Sequence, residues 1–223
     1  GIPLGVRTAT ARGGWFDRCF LGFSYVGVGI PVFFLALLLQ LVFAGWLRVL
    51  PIAGRLGLET VPPPMLTGLY TVDALIAGQW ATFLDAARHL VLPAVTLAVA
   101  GVAEVGRITR SSMITALEQD YVRTARAKGL PERTVWLRHA LPNAMLPTTT
   151  VIGLQVAFLL GGTVLIENIF SWGGLGTYAW TGIFRLDIPV IMGITLIATV
   201  AYLLVNLGVD LIYARLDPRI EYE

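Results

Sequence analysis

The chain has few of the residues that build catalytic and metal sites. Its 223 residues include one cysteine, Cys19, and two histidines, His89 and His139. A single cysteine excludes an intrachain disulfide and a cysteine-based metal site. The histidines are far apart in sequence, and neither belongs to a His-Glu-x-x-His pattern. We therefore assign no catalytic residue and no metal ligand.

Motifs for nucleotide binding and nucleophilic catalysis are also missing. The sequence has no Gly-x-x-x-x-Gly-Lys-Ser/Thr phosphate loop and no Gly-x-Ser-x-Gly elbow. We expect a chain that is not an enzyme and that binds no cofactor of its own.

Charge is scarce as well. Charged residues make up 13% of the chain and hydrophobic residues 56%, against about 25% and roughly 45–50% in soluble domains. Uncharged runs of 29, 28 and 22 residues occupy 19–47, 139–166 and 188–209. Each is long enough for a membrane-spanning helix, which needs about 20 residues. A fourth run, 89–103, is long enough only if Glu104 lies inside the helix.

These runs predict an all-α membrane protein. We place four spanning helices at about 20–45, 90–110, 146–166 and 188–212. Pro31 and Pro93 are expected kink sites within them. At this depth Glu104 would face protein or a water-filled path rather than lipid. The segment 81–90 is predicted to form a separate short helix at the membrane interface.

The distribution of charge gives the orientation. Segments 6–18 and 107–145 are net basic, whereas 47–89 is balanced and 167–187 is net acidic. Because positive residues mark the cytoplasmic side, the two basic segments and the C-terminal tail are predicted to be cytoplasmic. Glu167 and Asp210 lie at span ends, where they either line a pathway or gate, or make a local pair or cap.

The basic segment 120–142 is the most informative stretch, and we call it the cornered loop. Its first helix is predicted to run to Lys128. Gly129 follows as the left-handed residue after the helix, and Pro131 opens the next helix. Pro142 is predicted to end helical structure before the third span. An ordinary positive-inside loop remains the alternative.

The cornered loop resembles the EAA loop of permeases in binding-protein-dependent ABC importers. Matching positions are Ala125, Gly129, Leu141 and Pro142. Arg123 and Thr124 replace the Glu and first Ala of the general motif. The resulting Asp-Tyr-Val-Arg-Thr-Ala-Arg-Ala-Lys-Gly at 120–129 is typical of the dipeptide/oligopeptide/nickel branch.

The resemblance covers nearly the whole chain. The run Arg107–Met113 resembles the family's approach to the loop, and 167–176 is similar to its outer-loop motif, with Gly173 in place of Pro. Residues 206–210 and 213–219 resemble the C-terminal signature of the B-type subunit.

The resemblance implies a type I ABC importer transmembrane domain with four of six spans present. Gly1–Gly5 resembles the end of the second span, so two spans and a large outer loop would be missing. The expected domain is 1–213, with the coupling loop at 111–145 and a cytoplasmic tail at 214–223.

The resemblance also implies function and partners. We expect an inner-membrane permease subunit that imports dipeptides or oligopeptides, paired with a C-type permease. Two cytoplasmic ATPases would hold ATP and Mg²⁺, an extracytoplasmic binding protein would deliver substrate, and nucleic acid plays no part. Nickel or another small solute is the alternative substrate. An intramembrane enzyme, a passive channel or a membrane anchor are the rival classes.

Two sets of residues are predicted to matter. The ATPase-coupling set is Tyr121, Ala125, Arg126, Gly129, Leu130, Pro131, Leu141 and Pro142. For its apolar members, together with Val122, Val135 and Trp136, packing against the chain's own spans remains open. The possible pathway or gate residues are Glu104, Glu167 and Asp210.

Overall fold

The computed structural model describes residues 1–161 and 163–216, and every regular element within them is helical. The predicted all-α class is thereby confirmed. The helices are α1 (Ile2–Thr10), α2 (Trp15–Gly29), α3 (Val32–Leu39), α4 (Tyr70–Ile76), α5 (Trp80–Leu117), α6 (Asp120–Ala127), α7 (Glu132–Thr134), α8 (Leu141–Leu160), α9 (Val164–Ile169), α10 (Leu175–Phe184) and α11 (Ile188–Leu216). Two π-helical segments, Gln40–Trp46 and Val135–Ala140, continue α3 and α7.

Three helical stretches of the described chain are long and apolar enough to cross a membrane. They are α5, the continuous segment Glu132–Leu160, and α11. The pair α2 and α3 makes a fourth only if it counts as one broken span. The break lies at Pro31, which cannot donate a backbone hydrogen bond and immediately precedes α3. None of the apolar window of α11 is buried within the protein, as expected for a helix that contacts lipid or another chain.

Three predicted boundaries are wrong. Residues 81–90 are not a separate helix, because α5 starts just after Gly78, whose φ is 68°, and runs unbroken through Pro93. Pro142 does not end helical structure but lies in the first turn of α8. The preceding π-helical turn makes five-residue rather than four-residue hydrogen bonds, which lowers the cost of the missing proline N–H.

The third wrong boundary is the end of the third span. Helix α8 ends at Leu160, and Val164–Ile169 forms the separate helix α9. In contrast, α11 matches its predicted start and continues to Leu216. Residues 214–216 of the predicted tail are therefore helical, and 217–223 lie outside the described residues.

The chain divides into two compact units. The first comprises Gly1–Gly29, Val99–Gly161 and Thr195–Glu223, and it contains both segments predicted to be cytoplasmic. Its core consists of small and medium apolar side chains from α1, α5, α6, α8 and the π-helical segment between α7 and α8. These residues are Ala9, Met113, Ala116, Val122, Ala125, Val135, Ala140 and Ala144.

A buried ion pair ties α2 to α5 in the first unit. The Arg110 guanidinium donates to both carboxylate oxygens of Asp17, at 2.6 and 2.8 Å, and the Gly13 N–H donates to the same carboxylate at 2.9 Å. Asp17 is only 2% exposed. A charge buried this deeply is stable only with such a paired and hydrogen-bonded partner.

The second unit comprises Ile30–Ala98 and Gly162–Ile194. It contains the segments 47–89 and 167–187, which the charge pattern places outside. Ala36, Leu92, Ile166 and Phe170 form its core. The side-chain amide of Gln40 donates to the carbonyl oxygens of Ile52 (2.7 Å) and Ile169 (3.0 Å). Gln40 thus links the connection after its own π-helical segment to the end of α9.

Candidate functional site

The corner of the loop is a hydrogen-bonded helix ending. Lys128 caps α6, and Gly129 follows with a φ of 74°, so the predicted left-handed conformation is confirmed. The Gly129 N–H donates to the Arg126 carbonyl at 2.9 Å, and the Leu130 N–H donates to the Ala125 carbonyl at 3.4 Å. This pair of bonds is a Schellman motif, which satisfies the last carbonyls of α6. Pro131 precedes α7 as its N-cap rather than occupying its first position.

The inner face of the cornered loop belongs to the core of the first unit. Val122 and Val135 are fully buried and Ala125 is 5% exposed. They pack in one cluster with Met113 of α5 and Ala144 of α8. Packing against the chain's own helices therefore describes these three residues, including Ala125 of the predicted coupling set. Because these side chains share one core, α6 cannot move without disturbing its contacts with α5 and α8.

The outer face of the loop is exposed and basic. Tyr121 is 39% exposed and Leu130 is 36% exposed, so both are available to another molecule. The exposed cations of this stretch are Arg123, Arg126, Lys128, Arg133 and Arg138. Arg123 also pairs with Asp120 at 3.3 Å within α6.

A polar bracket spans the corner. The Arg126 guanidinium donates to both oxygens of Glu132, at 2.8 and 3.2 Å. The Trp136 indole N–H donates to the same carboxylate at 2.8 Å. Because the bracket joins α6 to the segment after the corner, Arg126 helps to fix the angle between them. The sequence singled out Arg126 but missed Glu132 as its partner.

Leu141 and Pro142 lie behind the corner, at the start of α8. Leu141 packs partly buried against the core cluster, and Pro142 lies in the first turn of the helix. Both sit where the loop becomes a span, rather than on the exposed face with Tyr121 and Leu130.

Glu104 makes a polar contact within the span α5. It accepts a hydrogen bond of 2.5 Å from the side-chain amide of Gln155 on α8. Farther along the same two helices lies a cavity of about 370 Å³. Its polar lining residues are Ser111, Ser112, Thr115, Gln119, Tyr121 and Asn143. Hydroxyl and amide groups of this kind can hydrogen-bond a polar solute.

Glu167 caps a helix with its carboxylate. The backbone N–H groups of Thr163 (3.3 Å), Gly176 (3.1 Å) and Thr177 (2.7 Å) donate to it, and the last two belong to the first turn of α10. Burial by itself raises the pKa of Glu167, but these hydrogen bonds outweigh burial and hold the pKa below its ordinary value. The geometry is that of the local cap, one of the two alternatives left open by the sequence.

Two glycines make room for this cap. A Cβ on Gly174 would lie 2.8 Å from the Glu167 carboxyl carbon, and a Cβ on Gly176 would lie 2.8 Å from the Val164 backbone nitrogen. The Gly-Gly-Leu-Gly sequence therefore serves close approach of α9 and α10. Asp210, the third predicted pathway residue, lies in α11 with an exposed side chain, and its role stays a prediction.

Two arginine sites were not predicted from the sequence. Arg110 pairs with Asp17, although 93 positions separate them. Arg55 lies over the ring of Tyr70, in a segment rich in Gly and Pro where no periodicity points to a partner. Within residues 1–161 and 163–216, no group of three or more His, Cys, Asp or Glu side chains could hold a metal ion.

Comparison with known proteins identifies relatives along the entire chain. Residues 1–222 match the family described as binding-protein-dependent transport system inner membrane component. The chain is 45% identical over 220 residues to the probable D,D-dipeptide transport system permease protein DdpB of Escherichia coli. It is 43% identical over 225 residues to the dipeptide transport system permease protein DppB of Alkalihalophilus pseudofirmus. It is 36% identical over 223 residues to the glutathione transport system permease protein GsiC of Salmonella choleraesuis.

These alignments cover 99%, 100% and 100% of this chain. They cover 65%, 66% and 63% of the three relatives. The chain thus spans slightly less than two thirds of the length of each.

Proposed function

The chain belongs to the binding-protein-dependent transport system inner membrane components, and from that membership we propose that it forms part of the pathway of an ATP-driven importer of small peptides. It is a multi-pass protein of the inner membrane. The three relatives compared above are named for transport of D,D-dipeptides, dipeptides and glutathione. All three solutes are small peptides, which favours this substrate class.

The observation that carries the proposal is the two-sided cornered loop. Its inner face packs into the same core as α5 and α8, and its outer face presents Tyr121, Leu130 and several cations. An energy-coupling element needs both a surface for a partner and a rigid connection to the spans. A passive channel or a membrane anchor has no need of such a loop.

Coupling then proceeds by movement of packed elements. An ATPase that closes on ATP pushes on the exposed corner of the loop. The push passes through Val122, Ala125 and Val135 to the facing side chains of α5 and α8. These two helices also carry the Glu104–Gln155 contact and the polar cavity, so the same motion changes the groups that a solute meets. The ligand-driven shift is one between two discrete arrangements.

The proposal includes three kinds of partner, four subunits in all. They are a second, C-type permease subunit, two cytoplasmic ATPases that bind ATP and Mg²⁺, and an extracytoplasmic binding protein that delivers the peptide. This chain then needs no nucleotide site of its own, consistent with the absence of a phosphate-loop motif from its sequence.

Purification tests the proposal directly. The full-length protein, tagged and extracted in mild detergent, is expected to copurify with an ATPase pair and a second permease. The assembled complex should hydrolyse ATP faster with the peptide-loaded binding protein. Purification alone in stable form, with uptake of solute independent of ATP, would identify a channel instead.

A further inference from the structure

Arg55 contacts two aromatic rings in the second unit. Its guanidinium carbon is 4.2 Å from the ring centre of Tyr70 and 5.9 Å from that of Trp172. One terminal nitrogen donates to the Gly68 carbonyl at 2.7 Å. Cation–π contacts of this kind hold the guanidinium in one place and leave most of its donors available.

The charge of Arg55 has no partner of opposite sign in residues 1–161 and 163–216, because none of their ion pairs includes it. Its Nε is buried and has no acceptor there. A guanidinium carries five N–H donors, and a buried donor without an acceptor is costly. Because this Nε is closed to solvent, a ligand must meet Arg55 through its two terminal nitrogens.

Two carboxylates of the same unit are engaged elsewhere. Asp73 accepts hydrogen bonds from the backbone N–H groups of Thr67 and Gly68 and from the Thr67 hydroxyl, all within 3.0 Å. Asp85 accepts from the Gly57 N–H at 2.7 Å and lies 3.5 Å from the His89 ring. Neither is therefore the missing counter-ion of Arg55.

A cavity of about 170 Å³ opens beside the guanidinium. It is lined by Arg55, Leu69, Tyr70, Thr71, Leu90 and Trp172, together with Ala86. Since a water molecule takes about 30 Å³ of liquid volume, the space holds a carboxylate and several attached atoms. The guanidinium of Arg55 is the charged group in this mostly apolar cavity, so the cavity suits a single small anion.

We propose that Arg55, Tyr70 and Trp172 form a subsite for the terminal carboxylate of the transported peptide. The proposal rests on the function proposed above and adds a recognition group to it. A carboxylate matches the planar fork of a guanidinium and accepts two parallel hydrogen bonds from it. Every unmodified linear peptide carries a terminal carboxylate, whatever its side chains. The subsite would therefore recognise peptides as a class and not a particular peptide sequence.

The test compares a free peptide with its amide. The full-length protein is assembled with its permease partner, ATPases and binding protein in proteoliposomes, and uptake of alanyl-alanine and alanyl-alanine amide is measured. The variants are Arg55→Gln, which removes the charge, and Arg55→Lys, which keeps the charge without the fork. Arg185→Gln, an exposed arginine of the same unit, is the matched control.

The quantity compared is the ratio of kcat/KM for alanyl-alanine (the acid) to kcat/KM for its amide. The ratio in each variant is divided by the ratio in wild type. Any preference of the binding protein cancels in this quotient, because the same binding protein serves all variants. Charge-assisted hydrogen bonds predict a fall of about 10- to 100-fold in Arg55→Gln, a smaller fall in Arg55→Lys, and no change in Arg185→Gln.

Three results would overturn the subsite. Equal losses for acid and amide would give Arg55 a packing role or a contact with the binding protein. If Arg55→Gln fails to reach the membrane, an unchanged ratio in Arg55→Lys would exclude recognition through the fork. No uptake of either peptide by the wild-type complex would instead refute peptide import, and the subsite with it.

Discussion

Gly129 forms the corner of the loop with a φ of 74°. Apart from Gly129 and its two chain neighbours, no heavy atom of the described residues lies within 4 Å of the position that a Cβ would take. A Cβ there meets no steric obstacle in the part of the chain that the structure describes. Its cost is that of the left-handed backbone, about 1–2 kcal/mol for a non-glycine residue. If a substitution of Gly129 impairs transport, the cause is therefore a changed backbone at the corner or a clash with a partner that binds there.

We expect Gly129→Val to uncouple the importer. A β-branched residue is a genuine outlier at positive φ, so the corner should open and its contact with the ATPase should weaken. Substrate-stimulated ATP hydrolysis and peptide uptake should both fall several-fold at normal membrane abundance. Gly129→Asn, which tolerates the left-handed region, is the matched control and should stay near wild type.

If ATP hydrolysis and peptide uptake stay normally coupled in Gly129→Val, the corner only connects two helices and takes no part in coupling. Loss of the protein from the membrane, without uncoupling of the remainder, would assign Gly129 to folding.

The bracket at the corner gives a second prediction, for Arg126. Arg126→Glu places two carboxylates face to face, since Glu132 lies 2.8 Å from the guanidinium. As both side chains are about half exposed, we expect a stability loss of only about 1 kcal/mol, but a clear loss of coupling.

The double exchange Arg126→Glu with Glu132→Arg should restore most ATP-dependent uptake, because it rebuilds the bracket. If uptake stays low in the double variant while the loop is folded, Arg126 acts through a partner and not through the corner.

At the scale of elements, the helices were easier to predict than their ends. Long uncharged runs locate α8 and α11, because the bilayer requires about 20 apolar residues. The shorter run 89–103 locates α5 once Glu104 is placed inside the helix. The ends depend on local backbone geometry that composition does not report. The π-helical turn Val135–Ala140 carries helical structure past Pro142, and α5 extends well past the apolar run to Trp80.

The connection between α9 and α10 yields a prediction with a pH signature. Glu167→Gln weakens a cap that receives three backbone N–H groups, which should cost about 1–3 kcal/mol. Because the pKa of Glu167 is lowered in the folded protein, its stabilisation is present above the ordinary value of about 4.3. That stabilisation is lost as pH falls through the lowered value.

The measurement is the Tm of the full-length protein in detergent at several pH values. The difference between wild type and Glu167→Gln should be full at pH 7 and shrink below about pH 4. The control is Glu59→Gln, an exposed acid of the same unit. An identical Tm for wild type and Glu167→Gln at pH 7 would contradict the cap.

At the scale of the whole molecule, the charge pattern predicts which side of the membrane each segment faces. In a Cys19→Ser background, a cysteine at Leu58 should label from outside intact cells, and one at Lys128 only after permeabilisation. Both positions are exposed, so access to reagent depends on topology and not on burial. Labelling of Lys128→Cys from outside would reverse the orientation.

What the sequence could not supply were contacts between distant segments. The motif 120–129 points to the corner and its glycine, because their signals are local. The partner of Arg110 lies 93 positions away, and the partner of Glu104 lies 51 positions away. Such pairs form only when helices pack. Helical periodicity predicts which face of a helix is buried, but it does not predict which residues cover that face.

We propose that the corner of the loop touches the ATPase, and photo-crosslinking in the assembled complex detects that contact. A photoreactive phenylalanine analogue at Leu130, which is exposed beside the corner, is activated in the assembled full-length complex. We expect an adduct with the mass of this subunit plus one ATPase, and no such adduct from the same analogue at Leu58. An ATPase adduct from Leu58, or its absence from Leu130 in a complex that hydrolyses ATP, would contradict the claim.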